Sequence, residues 1–407
     1  MTERPVVRFL DRTTPPHIIT LILITGVSVL SMNIFLPSLP GMAAYFDTEY
    51  RLIQLSVPVY LAMNAVLQLA VGPISDRYGR RPVLLVGFSL FVLASIGCLL
   101  APNVEVFLAF RMAQASVVVG MALSRAAVRD MVPQDQAASM IGYVTMGMAV
   151  VPMIGPAFGG ALDQVFGWKA NFVLLAALGA AMVALIWADM GETAKNRSAS
   201  FAEQLRQYPE LLSARRFWGY CLTAAFGSGA FFAYLGGAPF VGTDLYGLSS
   251  FWLGIYFGAP ALGYLSGNFL SGRYSVRFGI NAMIAWGTVI ITISMGALLL
   301  AFWAGLGSAE LFFGMMTLLG LGNGMMMPNA QAGMLSVRPH LAGSAAGLGG
   351  AIMIGGGAAL SALAGALLTP QSGAYPLILI QFIVAALSLA SILYVVRRER
   401  SLPAAAE

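Results

Sequence analysis

Gly72-Pro73-Ile74-Ser75-Asp76-Arg77-Tyr78-Gly79-Arg80-Arg81-Pro82 separates two long apolar runs, and 200 residues later its pattern returns as Gly272-Arg273-Tyr274-Ser275-Val276-Arg277-Phe278-Gly279. Gly, Ser, Arg, an aromatic and a closing Gly recur in the same order at an equivalent break. In the first copy, Asp76 to Gly79 reads as a tight reversal. Gly79 tolerates positive φ, and Pro82 suits the first turn of a following helix. The repeat implies an internal duplication, with two sets of apolar segments placed in tandem and in the same orientation.

Apolar runs lie near 18–46, 52–72, 83–101, 104–128, 137–162 and 168–189, and again near 217–241, 249–271, 281–304, 309–332, 342–368 and 374–396. Each has the ~20 residues needed to cross roughly 30 Å of hydrocarbon at ~1.5 Å per residue. The chain is 58% hydrophobic and 10% charged, with a mean hydropathy of +0.81. A soluble globular domain is excluded. The predicted fold is an all-α integral membrane protein, with twelve transmembrane helices in two pseudo-symmetric six-helix bundles. The bundles occupy 1–190 and 217–407, the second with a short tail, and a hydrophilic linker fills 191–216. In that linker Phe201, Leu205, Tyr208, Leu211 and Leu212 recur at helical spacing among Glu203, Gln204, Arg206 and Glu210. They predict a short amphipathic helix on the cytoplasmic surface, the alternative being a disordered tether.

Basic residues fix the orientation. Of the 22 Lys and Arg residues, Arg51 and Lys169 lie on one side, Arg111 falls within a span, and all the rest share the other side. The positive-inside rule therefore places both termini in the cytoplasm. The net charge of +5 is spread over the cytoplasmic segments, which makes it a topology signal and not a nucleic-acid footprint. The first 17 residues are polar and arginine-bearing, and the apolar run after them is too long for a signal core, so no cleaved leader is expected. Cys98 and Cys221 fall toward opposite ends of spans three and seven, an arrangement that predicts buried unpaired thiols.

Inside the membrane the polar residues are few. Arg111, in Leu108-Ala109-Phe110-Arg111-Met112-Ala113-Gln114, sits nearly two turns into span four, too deep for simple snorkelling. Tyr60, Asn64 and Gln68 form a polar strip at four-residue spacing on span two. Phe232 and Tyr234 lie on a glycine-rich span seven, and Asn323 and Met327 on span ten. Flexible and aromatic side chains of this kind suit promiscuous apolar ligands, although they serve equally for helix packing. Span five carries Gly155-Pro156-Ala157-Phe158-Gly159-Gly160, where Pro156 bends the helix and the glycines admit a close neighbour. No nucleophile–base set, metal-ligand cluster or phosphate loop is present, so neither enzymatic activity nor a cofactor is expected.

The loop from Gly72 to Pro82 resembles the signature between spans two and three of the major facilitator superfamily. The resemblance implies that Gly72, Asp76, Arg77, Gly79, Arg80, Arg81 and, after span four, Arg129 and Asp130 form a conformational switch. In that family the Asp faces the start of span eleven, where a helix dipole favours an anion, and latches the outward-open state. Arg111 and Gln114 match the second motif, whose Arg faces the central cavity; Ala115 stands where a Gly is usual. Gly155, Pro156, Gly159 and Gly160 resemble the antiporter motif of exporters, with Val151 in place of a preceding Gly.

A narrower likeness comes from Leu36-Pro37-Ser38-Leu39-Pro40, Ser124-Arg125-Ala126-Ala127-Val128-Arg129-Asp130, Ala238-Pro239-Phe240 and Tyr246-Gly247-Leu248-Ser249. These look like the bicyclomycin-resistance and chloramphenicol-efflux branch of twelve-span drug/proton antiporters. That branch has an Asp just before the Leu-Pro pair of span one, where this chain has Asn33. None of the 17 acidic residues lies near the middle of a span. Proton coupling is thus implied by the resemblance alone. A cavity holding Asn33 and Arg111 without an acid is expected to disfavour lipophilic cations.

The expected function is export of small neutral or anionic hydrophobic drugs from a bacterial inner membrane, by alternating access and as a monomer, with protons as coupling ion. An uptake permease or uniporter for a neutral metabolite is the alternative, and a transport-inactive membrane sensor is a third reading.

Overall fold

The computed structural model describes residues 7–131, 154–194, 208–338 and 341–400, together with positions 140, 144 and 151. Among them every regular element is helical. The chain divides into two compact units, Met1–Leu205 and Arg206–Glu407. Among the described residues 10 helices are long and apolar enough to cross a membrane. They fall on predicted spans one to four, six, seven and nine to twelve. Span eight is a helix, Ala259–Phe278, but Ser266, Asn268, Ser271 and Arg273 make its second half too polar to join them. Of predicted span five, 154–166 is helical, and most of 137–153 lies outside the described residues.

In the N-terminal unit, carboxylates tie helix starts to distant chain. Span one is Ile18–Asn33. The buried Asp189, last residue of span six (Lys169–Asp189), accepts the backbone N–H of Leu10 at 2.6 Å and of His17 at 2.9 Å, and the Thr20 hydroxyl at 2.6 Å. An anion is favoured there by the unsatisfied amides and the dipole of the helix start.

Span two, Ser56–Tyr78, runs through the predicted reversal. Asp76 and Arg77 belong to its last turn, and the break is Gly79 alone, with φ +100. The reason is that one glycine in this backbone region turns the chain without a loop. A β-carbon at Gly79 would also overlap the carboxylate of Glu192. That carboxylate accepts from the N–H of Arg80 at 2.8 Å and of Arg81 at 3.4 Å, at the start of span three, Arg80–Leu100. Span four is capped by Asn103, whose Oδ1 accepts from the N–H of Val106 at 2.9 Å. It runs Val104–Gln114, tightens into a 3-10 turn at Ala115–Val117 and continues as Val118–Met131.

In the C-terminal unit, span eight meets span ten (Ala309–Ser336) backbone to backbone. A β-carbon on Gly263 would overlap the Thr317 carbonyl, and one on Gly320 the Pro260 carbonyl. Gly267 and Gly324 approach the Leu321 and Tyr264 carbonyls in the same way. Small residues four apart permit this approach, where dispersion and not water exclusion drives helix association. At the end of the unit bearing Arg215, Leu211 is fully buried among Phe217, Tyr220, Ile392 and Val395. Residues 208–213 are helical, so this part of the predicted amphipathic helix packs into the second unit, while 201–207 lies outside the described residues. Glu399 gathers the same end, accepting from Arg216 at 2.6 Å, from the Tyr220 hydroxyl at 2.9 Å and from the Asn281 amide.

Candidate functional site

Arg111 is the largest fully buried side chain among the described residues. The elements around it come from spans one to four. Its Nη1 donates to Gln114 Oε1 at 2.7 Å and its Nη2 to the Ser31 carbonyl at 3.0 Å. The guanidinium carbon lies 4.3 Å from the Phe35 ring centre and 4.2 Å from that of Tyr60. Gln114 passes the network on through its Nε2, which donates to Ser95 Oγ at 2.7 Å. Tyr60 and Ser31 share a hydroxyl–hydroxyl bond of 2.9 Å. No carboxylate joins an ion pair with Arg111 among the described residues. The charge is held by two ring faces, a carbonyl and an amide, a cation–π arrangement that gains strength as water is removed. Its Nε remains without a partner.

Asn33 is 1% exposed, and neither its Oδ1 nor its Nδ2 has a hydrogen-bond partner. Leaving a buried amide unpaired costs about 1–3 kcal/mol for each polar group. The structure thus brings Arg111, Gln114 and Tyr60 into one network and leaves Asn33 outside it. Ser31 and Ser95 are members that sequence spacing did not single out, because both belong to other spans. On span two, Gln68 Nε2 donates to Asn64 Oδ1 at 3.2 Å, so two of the three members of the polar strip are bonded to each other while Tyr60 turns to Ser31.

The switch residues form a second network. Arg80 pairs with Asp76 and donates through Nε to Asp130 at 3.2 Å, and it also reaches the Ser75 hydroxyl. Thr193 Oγ1 donates to the same Asp130 oxygen at 3.3 Å. Arg81 Nη2 donates to the Trp187 carbonyl at 2.9 Å, and Arg77 stacks over the Tyr78 ring at 5.4 Å. Arg129 is exposed, and Gly72 has open space where a β-carbon would stand. The partner of Asp76 in this structure is thus Arg80, one turn away.

On span five a β-carbon at Gly159 would overlap the Ile34 carbonyl of span one, and one at Gly155 would stand 3.0 Å from Leu30. Pro156 and Gly160 are buried beside them. Asn171 Nδ2 donates to the Gly159 carbonyl at 3.2 Å and to Ser38 Oγ at 3.1 Å. This buried amide, which stitches spans one, five and six, carried no local signal in the sequence.

The second unit contributes differently. Phe232 lies against Gly357, and Tyr234 is fully buried among the rings of Phe257, Phe312 and Phe313, with centroids at 4.9, 6.5 and 6.3 Å. Tyr234 therefore sits within the packed interior of its own unit. Asn323 is 5% exposed with an unpaired Oδ1, Met327 is half-buried, and the neighbouring Met326 fills the space above Gly227.

Residues 21–361 match the family profile described as Major Facilitator Superfamily. The chain belongs to that superfamily. It is a multi-pass membrane transporter of small molecules and not an enzyme. A chloramphenicol resistance protein of Pseudomonas aeruginosa is 33% identical over 77% of this chain and 75% of the relative. Multidrug resistance protein D of Escherichia coli (strain K12) is 30% identical over 88% of this chain and 89% of its own length. An uncharacterized MFS-type transporter of Bacillus subtilis (strain 168) is 36% identical over 65% and 70%. Among solved structures, the human organic anion transporter MFSD10 superposes with a TM-score of 0.70 at 16% identity, covering 93% of this chain and 98% of that one. At that identity the likeness concerns the superfamily fold alone.

Proposed function

We propose that this superfamily member exports small hydrophobic drugs across a bacterial inner membrane, by alternating access and as a monomer, with both termini in the cytoplasm. Relatives named for chloramphenicol and multidrug resistance support the efflux reading. The observation that carries its selectivity is Arg111, buried with two aromatic faces and no carboxylate partner among the described residues, beside a span one that holds the unpaired Asn33. A buried cation without a counter-ion repels a second cation and accepts neutral or anionic amphiphiles. Asn33 offers such a substrate a donor and an acceptor at once. Tyr60, Asn64, Gln68 and Gln114 in the first unit, and Phe232, Tyr234, Asn323 and Met327 in the second, are proposed as substrate-handling residues of their respective units. Asp76, Arg77, Arg80 and Asp130 are proposed as the switch between access states, and protons as the coupling ion.

The absence of an acid near the middle of any span favours a second reading, uptake or facilitated diffusion of a neutral metabolite. A resistance profile in an efflux-deficient host, with and without a protonophore, separates the two. Protonophore-sensitive resistance to neutral compounds supports export. Unchanged drug sensitivity with accelerated metabolite entry overturns it.

A further inference from the structure

The geometry points to a phospholipid site on the outer wall of the C-terminal unit, apart from the transport residues. Spans seven (Arg215–Phe240) and twelve (Tyr375–Arg400) border an open cleft of about 320 Å³. Trp218, Gly219 and Leu222 form one wall and Leu387, Ala390 and Tyr394 the other. Besides the Tyr394 phenol the lining carries the Ser391 hydroxyl, which donates to its own helix at the Leu387 carbonyl, 2.8 Å away. The lining is therefore largely apolar. Gly219 makes the floor: a β-carbon there would overlap Val395, so the two helices touch at this level. Trp218 is fixed as a wall because its indole N–H donates to the Leu212 carbonyl at 2.8 Å.

One helical turn past this cleft the surface becomes basic. Arg215 precedes Trp218 by three residues and Arg397 follows Tyr394 by three, so helical spacing puts both on the stripes that line the cleft. Both are exposed, and the neighbouring acid, Glu399, is committed to Arg216. A largely apolar slot walled by Trp and Tyr, and flanked by two cations that pair with no acid among the described residues, complements a phospholipid with an anionic headgroup. An acyl chain fills the slot and the phosphate meets Arg215 and Arg397. Its place in the cytoplasmic leaflet rests on the orientation proposed above, whereas binding itself does not.

The test is native mass spectrometry of the purified full-length protein, exchanged into micelles holding equal phosphatidylglycerol and phosphatidylcholine. Wild type is expected to retain phosphatidylglycerol preferentially. Arg215→Gln with Arg397→Gln should lower that preference at least tenfold, since each basic residue near an anionic surface contributes roughly a factor of five. Arg273→Gln, an equally basic change on span eight, should leave it intact. Ala390→Trp should reduce retention of both lipids, and Leu222→Trp on the opposite wall replaces it if the first variant does not fold. Equal retention of the two lipids by wild type overturns the site, as does an equal loss in Arg273→Gln, which would make the attraction diffuse. Filled-cleft variants that keep their lipid but lose drug export would assign the cleft to substrate and likewise overturn it.

Discussion

Spans four and ten begin alike and end as different devices. Each opens on a side-chain cap, Asn103 or Ser308, then an acid, Glu105 or Glu310, and then a fully buried phenylalanine, Phe107 or Phe312. Four residues after that phenylalanine stands Arg111 in one and Met316 in the other, both fully buried. The N-terminal unit spends this position on a charge and builds a polar network across four spans to hold it. The C-terminal unit fills it with a thioether and takes its cohesion from glycines that let backbones touch. On the function proposed above, the duplicated scaffold separates two tasks, electrostatic discrimination in one half and close packing in the other.

The comparison breaks first at the glycines. Gly320→Leu should abolish folded protein, because its side chain would meet the Pro260 backbone, which cannot turn aside as a side chain can. The cost should reach or exceed the roughly 3 kcal/mol at the upper end of ordinary overpacking. Size-exclusion profiles of tagged variants check it, and a monodisperse Gly320→Leu would show that spans eight and ten yield. Gly159→Leu in span five should impair export for the same reason, against the Ile34 carbonyl.

Next comes the charge. Arg111→Ala should leave a folded transporter that has lost at least about tenfold in export of a neutral drug, as expected when a charge-assisted hydrogen bond worth roughly 1.5–3 kcal/mol is removed. Arg111→Lys should recover only part, lacking the planar fork that serves Gln114 and Ser31 together. Met316→Leu, the matched change in the other unit, should cost less than about 1.5 kcal/mol and leave selectivity alone. Equal transport defects at 111 and 316 would erase the proposed division of labour. Asn33→Asp should shift preference toward lipophilic cations, measured with matched cationic and neutral dyes. Strong export of quaternary cations by wild type would move charge selection elsewhere.

Two smaller effects sharpen the picture. Asp76→Asn should insert and fold normally yet slow transport, since Arg80 would keep Asp130 and lose its other carboxylate. Equal export at matched expression would remove Asp76 from the switch. Glu399→Gln weakens the Arg216 pair, which is partly solvated, and should lower Tm by only about 2–4 °C. Unchanged Tm would mean the Tyr220 and Asn281 contacts suffice.

Much of this was legible before any coordinates. Apolar runs of spanning length and the one-sided arginines displayed the membrane fold, and the paired loops at Gly79 and Gly279 displayed the duplication. Arg111 announced itself because a charge two turns inside hydrocarbon is costly. What escaped were acids whose partners lie far along the chain. Asp189 and Glu192 read as ordinary residues near a linker, yet they hold the starts of spans one and three, more than 100 residues earlier. The contact between spans eight and ten did carry a signal, the four-residue spacing of Gly263 with Gly267 and of Gly320 with Gly324. Each pair reads equally well as general membrane-helix packing, so the spacing could not name the partner. Asn171 had no such spacing, and only the assembled fold shows what it joins.

The cradle of Arg111 also has an electrical consequence. Ring faces and a carbonyl stabilise the guanidinium through quadrupoles and dipoles, which leave its full unit charge in place. With no carboxylate paired to it among the described residues to cancel the field, any displacement of Arg111 along the membrane normal between access states carries current. Moving it through a tenth of a 100 mV potential drop is worth about 0.2 kcal/mol, enough to tilt a nearly balanced two-state equilibrium. Even a neutral cargo would then be carried at a rate that depends on voltage.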